Sequence, residues 1–338
     1  MSVVNTAIIG CGRIHLTHAE AINKNPLLKL AAVVDIERNR AIETSLKYNC
    51  DYYTDYKEML KNANIDVVHI CTPHYLHAEM AIAAMKSGKN VLIEKPMAIK
   101  PEDAEEMIRV SESTGMKLGV CFQNRYNDTS KWIKEFLKTG TAGHIIGARA
   151  FVTWHRDKSY YASGLWRGTW DMEGGGVLIN QAIHTLDLLQ WFIGDIAEIK
   201  ASVDTRLLEK VIEVEDTAEA TIKFTNGAIA LFYATNCYTS DPPVEIELHC
   251  ENATIKLEDD IFIKYKNGET EYIPNPSKAL GDKAYWGLCH EALIDDFYCN
   301  IADKRHRFAV DGQEGIKAVK IIQAIYASQE NKKYIRVN

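Results

Sequence analysis

The sequence predicts an α/β chain in which a doubly wound parallel sheet is followed by an α+β domain with an open, mainly antiparallel sheet. Three observations predict it. Short Val- and Ile-rich runs alternate with amphipathic stretches over the first third, long alternating runs follow, and 338 residues exceed one typical domain. The expected division is residues 1–122 and 123–338.

The first third reads in order as βαβ units. "VVNTAIIG" precedes a helical "HAEAINKN", and "LKLAAVVD" precedes "RNRAIETSLKYN". Then come "DVVHICT" with "HAEMAIAAMKSG", "NVLIE" with "PEDAEEMIRVSESTG", and "KLGVCF". Such apolar strands are buried on both faces of a parallel sheet.

"GCGRIH" closes the first strand, so Gly10 and Gly12 match the first two glycines of G-x-G-x-x-G, with Arg13 and Ile14 at the helix start. One glycine permits a tight turn, and the other lets backbone approach a pyrophosphate on the helix N-terminus. His15 replaces the third glycine. Asp35, ending the second strand, suits the ribose hydroxyls and would repel a 2′-phosphate, which favours NAD; Arg38 and Arg40 leave room for NADP. Asp35 also suits a cap for the helix that follows. Ligands of parallel sheets lie beyond the carboxyl ends of strands, so Thr72, Pro73, His74, His77, Glu94 and Lys95 are expected to face the cofactor. Partial desolvation of Lys95 would lower its pKa and suit it to proton handling.

The second part begins with a helix, "TSKWIKEFLKTG", and passes into alternating strands with Asn-Gly hairpin signals in "FTNGAIA" and "KNGETEY". "GGGVLINQAIHTLDLLQWF" reads as one helix with Asn180, His184 and Asp187 on one face. Gly174, Gly175 and Gly176 would let the chain pass close to another backbone or to a ligand. Upstream, "WHRDKSYYASGLWRGTWDM" is rich in aromatics and cations that suit a pyranose. Trp166 and Arg167 are the first candidates there, and Arg156, Tyr160 and Tyr161 the second. Gln123 and Arg125 follow the last strand of the parallel sheet and should reach the site. "AYWGLCHEALIDDFYCNI" and "DGQEGIKAVKIIQAIYASQ" read as helices, with Asp311 capping the second and His290 structural.

"IIGCGRIHLTHAEAI", "VVD", "CTPHYLHAEMAIAAMKSGKNVLIEKPMA", "FQNRYN" and the glycine-led helix together resemble the Gfo/Idh/MocA oxidoreductases over about two thirds of the chain. The resemblance implies a Rossmann domain, a substrate domain whose open sheet commonly forms a dimer or tetramer, and His184 as the catalytic histidine. It implies an acidic residue four positions earlier, where this chain has Asn180. An amide can hold an imidazole or a sugar hydroxyl but cannot stabilise an imidazolium as a carboxylate does. Lys95 and His184 are then expected to meet over a nicotinamide ring and oxidise a secondary alcohol of a sugar, sugar derivative or cyclitol. Two other readings keep the fold: a sugar- and NAD-sensing regulatory protein, and an enzyme that cleaves a glycoside while recycling NAD.

The net charge of −7 and the absence of a basic block argue against a nucleic-acid partner. Eight scattered cysteines without C-x-x-C spacing read as reduced thiols. No ligand cluster suggests a metal. With no basic leader and no apolar run of membrane length, the chain reads as soluble and cytoplasmic.

Overall fold

The computed structural model describes residues 3–276, 289–303 and 305–337. Two compact units divide the chain discontinuously: Met1–Phe122 with Cys289–Val319, and Gln123–Leu288 with Lys320–Asn338.

In the first unit six strands, β1 (Val4–Ile9), β2 (Leu28–Val34), β3 (Asp51–Tyr53), β4 (Val67–Ile70), β5 (Asn90–Ile93) and β6 (Leu118–Val120), form one sheet in the order β3-β2-β1-β4-β5-β6. Every pairing is parallel. β4 is buried at all four positions, as expected of a strand with helices over both faces. The crossovers are α1 (His15–Lys24), α2 (Arg38–Tyr48), α3 (Tyr56–Leu60), α4 (His77–Lys86) and α5 (Pro101–Thr114).

The second unit opens with a short 3-10 turn, Gln123–Tyr126, and α6 (Asp128–Lys138). Its sheet comprises β7 (Ile145–Thr153), β8 (Ile196–Asp204), β9 (Thr217–Phe224), β10 (Ile229–Thr235), β11 (Glu245–Cys250), β12 (Ala253–Leu257), β13 (Ile261–Tyr265), β14 (Thr270–Ile273) and β15 (Ile335–Arg336). They run in the order β14-β13-β12-β11-β7-β10-β9-β8-β15. The Asn-Gly signals fall at the β9–β10 and β13–β14 hairpins, where Phe224 N–H donates to Ala228 O at 2.9 Å and Tyr265 N–H to Glu269 O at 2.9 Å. The sheet is antiparallel except at β7 and β10, which pair in parallel because β7 slots between β10 and β11 from far earlier in the chain.

The glycine-led segment is not one helix. A short α7 (Lys158–Ala162) precedes it, and the segment itself splits into α8 (Val177–Asn180) and α9 (Ile183–Ile193). At the break Ala182 N–H reaches Val177 O at 2.8 Å, one residue beyond the helical partner. Two further helices, α10 (His290–Ala302) and α11 (Gly312–Asn331), follow. The part of the expected "AYWGLCHEALIDDFYCNI" helix at 284–288 lies outside the described residues. Asp311 caps α11, accepting Glu314 N–H at 3.0 Å. All eight cysteines are free thiols. Among the described residues no helix is long and apolar enough to cross a membrane.

Candidate functional site

In the first unit β1 ends at Gly10, whose φ of +96° and nearness to Cys71 exclude a side chain; a Cβ there would lie 2.7 Å from Cys71 O. Gly12 faces open space, with nothing within 4 Å of the position a Cβ would take. Arg13 is exposed and Ile14 precedes α1. His15, in place of a third glycine, is buried, with Nδ1 against Gly12 O and Nε2 3.4 Å from Thr44 Oγ1. Burial lowers its pKa. Asp35 is buried at the end of β2, where its carboxylate accepts Cys11 N–H at 2.8 Å and Glu37 N–H at 2.8 Å. It therefore ties the glycine turn to β2 and shapes the approach to α2, while Glu37 takes the cap position itself.

Two strand-end residues point away from the surface expected of them. His77 is fully buried, with Nδ1 2.7 Å from Pro96 O and Nε2 2.9 Å from Thr72 O. It fastens the loop after β4 to the loop after β5 and does not face a ligand. Burial lowers its pKa, against the pull of the two carbonyls. Pro73 and His74 form the turn into α4, with His74 buried. Glu94 also turns inward. Its Oε1 lies 2.9 Å from His18 Nε2 and 3.5 Å from His290 Nε2. Burial raises the pKa of this carboxyl, but the two imidazoles outweigh it and hold the group well below the carboxylate range. Lys95 follows half-buried, its N–H 3.3 Å from Glu94 Oε2 and its bond to Pro96 cis.

Sequence reasoning missed the rest of this cluster. His18 Nδ1 lies 2.9 Å from His69 Nδ1, His69 Nε2 3.0 Å from Tyr298 OH, and that hydroxyl 2.6 Å from Thr6 Oγ1. Burial lowers the His69 pKa well below the ordinary range, so its ring is neutral. One proton polarity satisfies the whole chain: Thr6 donates to Tyr298, Tyr298 to His69, His69 to His18, and His18 to the Glu94 carboxylate. The atoms of His18, Glu94 and His290 are close enough to hold a metal ion, but these distances are those of hydrogen bonds.

In the second unit His184 sits in the first turn of α9, with its Nε2 3.4 Å from Gln123 Nε2. The structure thus brings these two expected residues together. Asp187, one turn on, instead forms a buried two-point ion pair with Arg125, at 2.8 and 2.7 Å. Arg125 is thus held in a buried pair, its side chain 2% exposed. Asn180 ends α8, with Nδ2 2.5 Å from Glu173 Oε1 and 3.2 Å from Tyr160 OH. Tyr160 OH also accepts from Arg167 Nη1 at 2.6 Å and Gln181 Nε2 at 3.0 Å. The Gln181 oxygen in turn accepts from Asn236, which also donates to Tyr161 OH at 3.0 Å.

Among the substrate candidates, the Arg167 guanidinium lies between two rings, 4.4 Å from the Trp166 centroid and 4.5 Å from that of Tyr160. Arg156 is buried and bonded to Asp241 at 2.9 Å, with Trp154 and Tyr160 against its guanidinium. It is a structural cation.

Glu173 and Glu215 were not anticipated. The only trace of Glu173 in the sequence is a charge set directly before three glycines. Glu215 accepts Gly176 N–H and Leu178 N–H at 3.0 Å and Tyr326 OH at 3.1 Å. Burial, partly opposed by those donors, pushes its pKa up to about 7. The glycines approach protein, not a ligand, at this point: a Cβ on Gly176 would lie 1.8 Å from Glu215 O.

A glycine turn at the end of β1, an acid at the end of β2 and a six-stranded parallel sheet define an NAD-binding Rossmann domain, and the residues present fit that cofactor. The profile described as an oxidoreductase family with an NAD-binding Rossmann fold matches residues 4–122, and that of the GFO/IDH/MocA C-terminal domain matches residues 131–256. The chain belongs to the Gfo/Idh/MocA oxidoreductase family. It is 30% identical to D-glucoside 3-dehydrogenase of Escherichia coli (strain K12) over 246 residues, 68% of this chain and 69% of that one. Against the uncharacterized oxidoreductase YrbE of Bacillus subtilis (strain 168) it is 28% identical over 67% of this chain, and the match spans 65% of that relative's length. The WlbA dehydrogenase of Bordetella pertussis, solved with NADH and UDP-GlcNAcA, superposes with a TM-score of 0.89 at 27% identity, covering 100% of this chain and 98% of that one.

Proposed function

We propose that this oxidoreductase reversibly oxidises a secondary alcohol of a sugar, sugar derivative or cyclitol with NAD. The observation that carries the reading is His184, an imidazole in the first turn of α9 with its Nε2 3.4 Å from the Gln123 amide nitrogen. The sugar class is supported by the relatives, among them a D-glucoside 3-dehydrogenase. Bound NAD supplies the hydride acceptor for the carbinol carbon. His184 takes the hydroxyl proton as that carbon becomes a carbonyl. Lys95, as an ammonium, steadies the developing alkoxide. Trp166 offers an aromatic face to the sugar ring and Arg167 a donor to its hydroxyls or an acidic substituent.

The test follows NADH absorbance with purified protein and a panel of glucosides, nucleotide sugars, sugar acids and inositols. At least one alcohol should reduce NAD, and Lys95→Ala and His184→Ala should abolish turnover while NAD still binds. If no member of the panel is oxidised, the reading fails.

We further propose a homodimer or homotetramer assembled through the outer face of the second sheet. Strand pairing sets Tyr272, Phe262, Lys256, Glu247, Arg149 and Leu231 in one row across that face. Leu231, Phe262 and Tyr272 are exposed there, as is Ile229 on the same strand as Leu231. A second copy burying those side chains would remove them from water.

A further inference from the structure

We propose that His77 is a positioning residue for the dinucleotide. Its ring clasps the loop after β4 to the loop after β5 through both nitrogens, so binding of NAD is coupled to a proton on this histidine. The residue is 0% exposed, with Nδ1 2.7 Å from Pro96 O and Nε2 2.9 Å from Thr72 O. Both partners are backbone carbonyls, which can only accept. A neutral imidazole has one N–H and one lone pair, so it donates to one of them alone. Its other nitrogen then turns a lone pair toward the second oxygen at hydrogen-bond distance, which is repulsive. Only the imidazolium, with two N–H groups, makes both contacts at once. The closed clasp is therefore the protonated ring.

A buried cation needs compensation from its surroundings. Here the two carbonyls turn their negative ends to the ring, and the Glu94 carboxylate, held ionised by His18 and His290, adds an opposite charge. Lys95 acts against the cation. His74, in the turn before α4, lies beside it with ring centroids 5.7 Å apart. Burial is the largest influence and prevails, so the ring titrates below the ordinary 6.5. The proton is held weakly, and whatever favours the closed clasp keeps it on the ring to higher pH.

NAD is such an influence. Thr72 and Pro96 follow the carboxyl ends of β4 and β5, beyond which ligands of a parallel sheet lie. With one tie broken the two loops move independently, and the cofactor must order them as it binds. With both ties made they are already placed, and that ordering cost is removed. The coupling concerns cofactor binding only and holds whichever alcohol the enzyme oxidises.

The experiment measures NAD affinity by calorimetry from about pH 5 to about pH 8 in wild type and His77→Gln. It also follows the His77 ring nitrogens of wild type by 15N NMR with and without NAD. NAD should bind wild type roughly threefold or more tighter at the acidic end, and this difference should vanish in His77→Gln, whose amide carries no titrating proton. Linkage is reciprocal, so NAD should raise the His77 pKa by about half a unit or more, the same factor of three expressed in pH. At the acidic end both ring nitrogens should carry a proton. A histidine with a merely structural role would keep one neutral tautomer throughout.

An affinity equally steep in pH in wild type and folded His77→Gln overturns the proposal. So does a His77 ring that stays neutral with NAD bound down to about pH 5, or a His77 titration that NAD does not move. If His77→Gln does not fold, the NMR titration of wild type decides alone.

Discussion

The carboxylate of Asp35 accepts the backbone N–H of Cys11 at 2.8 Å, so the residue expected to meet the cofactor ribose also holds the glycine turn in place. Asp35→Asn and Asp35→Ala separate the two roles. The amide oxygen of asparagine can still accept Cys11 N–H, while its NH2 loses the bond from Glu37 N–H. That variant should therefore melt below wild type but above Asp35→Ala, and it loses the charge that repels a 2′-phosphate. Two like charges 4 Å apart in water-like surroundings repel by about 1 kcal/mol, so preference for NAD over NADP should fall by roughly fivefold or more. Alanine leaves buried N–H groups unsatisfied and should cost a further 1–3 kcal/mol, about the penalty for such a group. Urea unfolding and cofactor titration with both dinucleotides check the pair.

Arg125 and Asp187 form an ion pair whose side chains are 2% and 1% exposed. Removing one partner of so buried a pair strands the other charge, at a cost of about 3–5 kcal/mol. Asp187→Ala should therefore lower the denaturation midpoint sharply, whereas Arg125→Met combined with Asp187→Leu, which removes both charges, should regain most of the loss. Equal instability of the single and double variants would show that shape, not charge, matters at this position.

Leu231 lies on the outer face of the second sheet, opposite Arg149 on β7. An aspartate at 231 would place a charge within any interface built on that face. Leu231→Asp should leave the melting temperature of the isolated protomer nearly unchanged, because the side chain is exposed, and should shift the mass measured by light scattering to that of a monomer. An unchanged mass would place the contact elsewhere.

The parallel character of the first sheet was legible because its strands are short apolar runs separated by helices, as a parallel sheet requires. The parallel pairing of β7 with β10 was not, since nothing in an alternating strand tells which distant strand will lie beside it. The same limit applies to side chains. The strand-end rule located Glu94 and His77 correctly along the chain but not the direction they face, which is set by His18, His290, Thr72 and Pro96 from other segments. His184 stood out as an imidazole in a mostly apolar segment that follows three glycines. The break just before it carries no glycine or proline. It coincides with two side chains held from outside the helix, Asn180 by Glu173 and Gln181 by Tyr160 and Asn236.

Glu215 gives stability a pH dependence of definite sign. Its pKa rises from the ordinary 4.5 to about 7 in the folded chain because burial disfavours the charged form. Between those values the unfolded chain has released this proton and the native chain keeps it, so stability falls as pH rises. The contribution is fully present below pH 4.5 and gone above about 7. At 1.36 kcal/mol per pH unit the span corresponds to roughly 3 kcal/mol. Glu215→Gln cannot ionise, so the difference in unfolding free energy between it and wild type should change by that amount from pH 5 to pH 8 and level off beyond. Subtracting the two urea titrations cancels the other groups. A difference that stays flat across the window would mean that Glu215 is already ionised at pH 5, held so by Gly176 N–H, Leu178 N–H and Tyr326.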